Sequence, residues 1–242
     1  YTNLGTIQYD YLVLSQGANT NYFGNQNIQK FCAPMKSTSE ALYIRNKIIS
    51  NYERAVNIAD EDERKPIMNV VIVGGGATGV ELAGSIAELR NKVLPKDYPQ
   101  LSFKNMRVIL VESGGSLLSG LTPKSREKAL QYLQELGVEV MLNTRVEDYD
   151  GFIVKLLDKE PIKTLTLLWA AGIKANSLIG VEDDQKAPNG RLLVDEFNKM
   201  VNEENIYVVG DQCVQKEEKF PNGHPQVAQV AIQQAANLAK NF

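Results

Sequence analysis

The strongest constraint on the fold is the stretch VVIVGGGATGVELAGSIAEL at residues 70–89. A run of β-branched residues predicts a buried strand, and the residues after the glycines predict a helix. Between them, GGGATG fits the pattern G-x-G-x-x-G through Gly74, Gly76 and Gly79. A strand, a glycine turn and a helix in this order begin a βαβ unit. The stretch therefore predicts an α/β fold with a parallel sheet.

A different physical requirement explains the glycine at each of these three positions. Gly74 permits the tight turn, Gly76 lets a pyrophosphate approach the backbone, and Gly79 lets the helix pack close to the strand. The first helical turn, with Ala77 and Thr78, offers backbone N–H groups and the positive end of the helix dipole to phosphates. The alternative is a turn without a ligand, but the strand before it and the helix after it favour a dinucleotide site.

An acidic residue ends the next predicted strand, RVILVE at 107–112. Glu112 lies 36 positions after Gly76 (112 − 76), and the irregular insert at 91–105 accounts for this long spacing. A carboxylate here accepts hydrogen bonds from ribose hydroxyls and repels a 2′-phosphate. No arginine follows in ESGGS, so the sequence predicts NADH rather than NADPH as the ligand. An ordinary surface glutamate is the alternative.

Alternating strands and helices over 68–143 predict a doubly wound parallel sheet. Two strands at 152–157 and 164–172 are expected to pair antiparallel, with DKEPIK between them. The acidic run DEDERK at 60–65 is interpreted as a solvated loop. Other predicted elements are strands at 9–14, 138–143 and 206–211 and helices at 37–58, 122–137 and 225–241.

Two further strand ends carry candidate binding residues. In WAAG, Ala171 and Gly172 would let a flat ring approach the backbone, although a close-packed strand end explains them equally well. YVVGD ends in Gly210 and Asp211, and this carboxylate could bind a sugar or ribityl hydroxyl. Taken alone, Gly-Asp is also consistent with a simple turn.

The last predicted helix carries Gln229 and Gln233, which are four positions apart and share a face. Their amides could donate to and accept from a carbonyl-bearing ring. By spacing alone, two solvent-facing glutamines explain the pattern better.

Composition narrows the function classes. With 26 Lys and Arg against 29 Asp and Glu, the chain shows no basic surface for nucleic acid. Cys32 and Cys213 form neither a C-x-x-C pair nor a zinc motif, so two thiols and no metal site are expected. No apolar run is long enough to span a bilayer.

Together these motifs resemble the type II NADH dehydrogenases, single-subunit flavoproteins of the pyridine nucleotide–disulfide reductase superfamily. They occur in the family's order: YDYLVLSQGA, VVIVGGGATGVELAG, LLWAAGI, YVVGD and AQVAIQQAANLAKN. The Ala-Gln-x-Ala-x-Gln element is the most specific, because it separates quinone reducers from the disulfide reductases of the superfamily. The lack of C-x-x-C in this sequence agrees with it.

The resemblance implies a Rossmann-like NADH domain at 36–188, inserted in a second dinucleotide-binding domain for FAD. Residues 1–35 and 189–242 would be parts of that FAD domain. Its first βαβ unit would precede Tyr1 and an amphipathic membrane anchor would follow Phe242, so an internal fragment is expected.

The resemblance also implies residue roles. Asp211 would contact the ribityl chain of FAD, and Ala228 and Gln229 at the start of the last helix would face the flavin ring. Gln229 and Gln233 would line a quinone pocket. Glu81 would lie near the junction of nicotinamide and flavin, although charge complementarity at a helix N-terminus explains it equally well.

The implied activity is oxidation of NADH through FAD, with transfer of two electrons to a membrane quinone. A ferredoxin- or rubredoxin-type reductase and a non-catalytic NADH-binding redox sensor are the alternatives. The intact protein is expected at the cytoplasmic face of a bacterial inner membrane, held by a segment outside this chain, with the chain itself soluble. A homodimer and the quinone species stay open.

Overall fold

The structure is a computed structural model that describes residues 5–176 and 178–242. The chain divides into two compact units. The larger unit is Thr20–Gly172, and the smaller combines the residues up to Asn19 with Ile173–Phe242.

The described residues form fourteen strands and seven α-helices. The strands are β1 (Leu12–Leu14), β2 (Ala18–Thr20), β3 (Ala33–Pro34), β4 (Val70–Val73), β5 (Val108–Val111), β6 (Glu139–Met141), β7 (Val146–Tyr149), β8 (Ile153–Leu156), β9 (Lys159–Lys163), β10 (Thr166–Trp169), β11 (Ile173–Ala175), β12 (Leu192–Val194), β13 (Ile206–Val208) and β14 (Cys213–Gln215). The helices are α1 (Gln26–Phe31), α2 (Thr38–Val56), α3 (Glu61–Met68), α4 (Ala77–Glu88), α5 (Leu94–Asp97), α6 (Pro123–Glu135) and α7 (Ala228–Asn241). Shorter helical turns lie at Leu89–Val93, Phe103–Asn105, Asp183–Gln185 and Gly210–Gln212.

The larger unit is built on a five-stranded parallel sheet in the order β3-β10-β4-β5-β6. This confirms the predicted α/β class with a parallel sheet. Val73 at the end of β4 lies opposite Val111 of β5 and Trp169 of β10. The residues that follow these strands therefore meet at one edge of the sheet. The direction in which the strands are added reverses at β4, since β5 and β6 lie on one side of it and β10 lies on the other. In open α/β sheets, ligands bind at the carboxyl ends of the strands at such a topological switch point.

The two faces of this sheet pack on different elements. Ile72 belongs to a buried cluster with Ile48 of α2 and Ala83 of α4. Val71, the neighbouring residue of the same strand, faces the other way and packs in a cluster with Val154 of β8. Burying one such aliphatic side chain contributes about 1.5–3 kcal/mol. A strand buried on both faces explains the continuous apolar sequence of β4.

The predicted antiparallel pairing of 152–157 with 164–172 is wrong. β8 pairs instead with β7 and β9, and β10 lies between β3 and β4 in the parallel sheet. The whole of β10 is buried, as expected for a strand covered on both faces. The segment DKEPIK supplies β9, after a turn with Asp158 at φ +55°.

The run DEDERK is helical rather than a loop. It forms most of α3, where the Asp60 side chain accepts a hydrogen bond from Asp62 N–H at 2.8 Å. The acidic residues of its first turn stabilise the helix, because they interact favourably with the positive end of its dipole. The last residues of α3, Ile67 and Met68, are buried. The following strand consequently begins only at Val70.

Most other predicted elements have the expected type but shorter bounds. Ser37 caps α2 in a reciprocal capping box with Glu40. The last helix begins at Ala228, three residues after the predicted start. The strand predicted at 9–14 is reduced to β1. The insert at 91–105 contains α5 and a short helical turn.

The smaller unit has two parallel strand pairs, β1 with β13 and β12 with β14. Its buried cluster includes Leu192, Val208 and Cys213. In the described part of the chain, no helix is long and apolar enough to cross a membrane.

Candidate active site

Gly74, in the turn after β4, and Gly79, in the first turn of α4, are required by the fold itself. Gly74 has φ +112°, and a Cβ atom there would overlap the backbone of Ala170. A Cβ atom on Gly79 would overlap the carbonyl oxygen of Gly74. Any side chain at these positions would therefore push the turn away from the neighbouring strand or helix.

Gly76 differs from its neighbours. A Cβ atom on Gly75 would lie 2.8 Å from Leu117 Cδ2, whereas a Cβ atom on Gly76 would have no atom of a described residue within 4 Å apart from its two chain neighbours. Gly76 is the N-cap of α4, has an ordinary φ of −73° and makes no side-chain cap. It is exposed, like Ala77 and Thr78. The protein alone gives no steric reason for glycine here.

Glu112 is fixed beside this turn. Its Oε2 accepts a hydrogen bond from Gly75 N–H at 2.5 Å, and its Oε1 accepts one from Gly114 N–H at 2.6 Å. Ser113 Oγ donates to Oε1 at 3.2 Å. A carboxylate has about four lone-pair sites, so further donors can still bind. The sheet register thus brings the predicted acid to the glycine turn, 37 positions away from Gly75 in the chain.

A cleft of about 680 Å³ opens at this edge of the sheet. Its lining comes from the carboxyl ends of β4, β5 and β10, from the segment before α1 and the first turn of that helix, and from residues 144–147 and Leu157 around β7 and β8. Glu112, Arg145 and Glu147 give it polar walls. Its size is within the range of small-molecule and cofactor sites, about 300–1,000 Å³.

Aromatic residues form the wall of the cleft beside β10. Trp169 is buried and donates a hydrogen bond from Nε1 to the Asn21 carbonyl at 2.8 Å. The rings of Tyr22 and Phe23 lie with their centroids 6.5 Å from that of Trp169. All three aromatic side chains line the cleft together with Ala171.

The structure brings only some of the predicted residues of the larger unit to the cleft. Gly74, Glu112 and Ala171 line it. Gly172, with φ +154°, lies next to the Phe23 ring, which a Cβ atom would approach to 3.4 Å. Glu81 is exposed on α4 and is not among the lining residues. Its role stays a prediction.

In the smaller unit, the predicted Gly-Asp element forms a short helical turn after β13. Gly210 has φ +75°, and its N–H donates to Gln234 Oε1 at 2.8 Å. Asp211 is partly exposed, and its carbonyl accepts a hydrogen bond from Gln226 Nε2 at 2.8 Å. The backbone on both sides of the carboxylate is therefore held by glutamine side chains.

Gln234 is the residue that the sequence analysis missed. It is only 6% exposed, and it also accepts from Cys213 Sγ and donates to Gln215 Oε1. Gln229 and Gln233, by contrast, are exposed, as is Ala228. The available signal was the spacing of four to Leu238, which places Gln234 on the buried stripe of α7.

The sulfur chemistry of a disulfide reductase has no support in these residues. Cys32 and Cys213 are buried free thiols. Burial raises the pKa of Cys32 to about 12 and also raises the pKa of Cys213, so both favour the unreactive thiol form. Among residues 5–176 and 178–242, no cluster of His, Cys, Asp and Glu could hold a metal ion.

Comparison with known proteins gives consistent matches. The family profile described as pyridine nucleotide-disulphide oxidoreductase matches residues 2–235. Two Mycobacterium tuberculosis proteins, the type II NADH:quinone oxidoreductases NdhA and Ndh, are each 35% identical to this chain. The alignments cover 94% and 97% of the chain and 49% and 51% of those proteins. The chain thus spans about half the length of the curated relatives it matches.

A solved structure agrees with this comparison. NDH2 from Plasmodium falciparum in complex with NADH superposes with a TM-score of 0.79 at 28% identity. The superposition covers 86% of this chain and 45% of that protein.

Proposed function

Because the chain belongs to the pyridine nucleotide-disulphide oxidoreductase family, we propose that it is part of a flavoenzyme that oxidises NADH and reduces a quinone. The observation that carries the proposal is the open space at Gly76 beside the fixed carboxylate of Glu112. A glycine that the fold does not require, at the exposed N-terminus of α4 and next to a residue bonded to Glu112, is explained by a ligand that approaches the backbone. The names of the relatives, type II NADH:quinone oxidoreductases, support the substrates.

NADH would bind in the larger unit. The exposed N-terminal turn of α4, from Gly76 to Thr78, offers N–H groups and a positive dipole end to the pyrophosphate. Glu112 would accept hydrogen bonds from the ribose hydroxyls and repel a 2′-phosphate. We propose this unit, Thr20–Gly172, as the structural body of the NADH domain expected at 36–188.

FAD would supply the hydride-accepting ring. From this chain, Asp211 and the start of α7, with Ala228 and Gln229, would hold part of it. The fit rests on Gly210, whose φ of +75° and hydrogen bond to Gln234 fix the backbone that carries Asp211. We propose the smaller unit, the residues up to Asn19 with Ile173–Phe242, as this chain's part of the FAD domain expected at 1–35 and 189–242, so that residues 20–35 belong to the NADH domain.

The tasks of this chain would be binding and alignment. Holding two reacting partners in register contributes several kcal/mol to a rate without any nucleophile or metal. The intact protein would act at the cytoplasmic face of a bacterial inner membrane, attached through a segment outside this chain. Assembly as a homodimer belongs to the same proposal.

Nucleotide binding is tested with Trp169, the single tryptophan of the chain, which lines the cleft. We expect NADH to change its fluorescence saturably, at a concentration about tenfold or more below that needed for NADPH, because Glu112 repels the added phosphate. Glu112→Gln keeps the shape of the side chain and removes its charge. The concentrations of NADH and NADPH that change the fluorescence should therefore become more similar in this variant. Equal responses of the unmodified chain to both nucleotides would contradict the specificity.

Quinone reduction is tested in the intact enzyme with Gln229→Ala combined with Gln233→Ala. Both side chains are exposed on α7, so the fold should persist. We expect quinone turnover to fall about tenfold or more, since two amide hydrogen bonds are lost, while NADH still bleaches the flavin absorbance. Asn237→Ala, also exposed on α7, is the matched control. Unchanged quinone turnover would favour a reductase of a protein electron carrier instead.

A further inference from the structure

Phe23 combines an unfavourable backbone conformation with an exposed aromatic side chain. Its backbone has φ +51°, in the left-handed region that bulky residues avoid, and its side chain is 65% exposed. Such a conformation persists only when the surroundings impose it, and it is concentrated at ligand sites. A stability requirement alone would favour glycine or asparagine here, because both tolerate a positive φ.

The surroundings of Phe23 do impose this conformation. Asn21 Oδ1 accepts a hydrogen bond from Phe23 N–H at 2.9 Å. The Asn21 backbone is fixed in turn, since its N–H donates to the Gly172 carbonyl at 3.0 Å and its own carbonyl accepts from Trp169 Nε1 at 2.8 Å. The loop is therefore attached to the end of β10, and it presents an exposed ring from a rigid base.

The ring of Phe23 faces the cleft of the proposed NADH site. Phe23 lines that cleft together with Gly74, Glu112 and Trp169. Its ring is tilted by 65° to the ring of Trp169, an edge-to-face contact that leaves most of the Phe23 surface uncovered. A flat ligand ring could therefore stack on it.

The order of strands decides which end of the dinucleotide would meet Phe23. Glu112 follows β5 and Gly74 follows β4, while Trp169 ends β10 on the opposite side of β4. A ribose at Glu112 and a pyrophosphate at the turn after Gly74 place the adenosine half on the β5 side. The second half then extends towards β10, where Phe23 is anchored.

We propose that Phe23 is a contact residue for the nicotinamide ring of the bound dinucleotide. The proposal rests on the proposed function, because it requires NADH in the cleft. It adds a residue that neither the glycine turn nor the acidic strand end indicates.

The test compares two ligands by calorimetry on the full 242-residue chain. NADH carries the nicotinamide ring and ADP-ribose lacks it. Phe23→Asn removes the aromatic ring and keeps a residue that tolerates positive φ, so thermal stability should be unchanged or higher. We expect NADH affinity to fall about three- to tenfold, the range for one aromatic contact, with ADP-ribose affinity unchanged.

Two further variants make the result specific. Phe23→Tyr keeps an aromatic face and should retain NADH affinity. Tyr132→Asn removes an exposed aromatic residue of α6 that does not line the cleft. This variant should change the affinity for neither NADH nor ADP-ribose.

The outcomes separate the two proposals. If Phe23→Asn weakens both ligands equally, or neither, the role of Phe23 is overturned while NADH binding stands. If the unmodified chain binds neither NADH nor ADP-ribose, the proposed function fails, and the role of Phe23 fails with it.

Discussion

Replacement of Gly79 by alanine is expected to destabilise the larger unit strongly. The added Cβ atom would overlap the Gly74 carbonyl oxygen, and that carbonyl belongs to a turn already held against Ala170. The backbone cannot rotate away as a flexible side chain can, so the cost should be about 3 kcal/mol or more, at the upper end of overpacking effects. For a unit of this size, that lowers Tm by about 6–12 °C, which calorimetry or circular dichroism would measure.

Gly84→Ala is the matched control on the same helix. A Cβ atom on Gly84 would lie 3.8 Å from Leu133 Cδ2, an ordinary van der Waals contact. Alanine favours the helix over glycine by about 0.5–1 kcal/mol, so this variant should be more stable. If Gly79→Ala were as stable as Gly84→Ala, the close packing of α4 against the glycine turn would be refuted.

The glycine turn and its sheet could be predicted because their signals are local. A buried strand, G-x-G-x-x-G and a helix follow one another within 70–89, and each has a recognisable pattern. Glu112 was predicted from its place at the end of the next strand, RVILVE at 107–112. The hydrogen bond of Glu112 to Gly75 confirms that the acid reaches the turn.

Strand pairing was not accessible in the same way. β10 and β8 are close in the chain, so an antiparallel pair was the simplest expectation. The pairing actually formed is decided by burial, because β10 is apolar throughout and is covered on both faces between β3 and β4. Its partners lie far away in sequence, and no local pattern identifies them.

The buried amide of α7 shows the same limit at the level of one side chain. Gln233 and Gln234 are adjacent and chemically identical, but only Gln234 is buried. Which of them is buried depends on where Gly210 and Cys213 pack against the helix. The loop of Phe23 is a comparable case, since Trp169 holds it from 148 positions away along the chain.

Replacement of Gly76 by valine is expected to abolish NADH binding without unfolding the protein. Apart from its two chain neighbours, no described residue has an atom within 4 Å of a Cβ atom at this position, and its φ of −73° is compatible with valine. The free energy of unfolding should therefore fall by only about 0.5–2 kcal/mol, the usual cost of replacing a favourable N-cap residue. The two methyl groups would instead occupy the space where the pyrophosphate approaches the N–H groups of α4.

Losing two hydrogen bonds to a charged phosphate, at about 1.5–3 kcal/mol each, corresponds to a fall in affinity of about a hundredfold or more. Calorimetric titration with NADH, next to a thermal melt of the same sample, measures both quantities. Gly120→Val is the matched control, because Gly120 also has open space around its Cβ position but lies outside the turn after β4. It should change neither binding nor stability. Retained NADH affinity in Gly76→Val would mean that the nucleotide does not approach this turn, and the open space at Gly76 would then have lost its explanation.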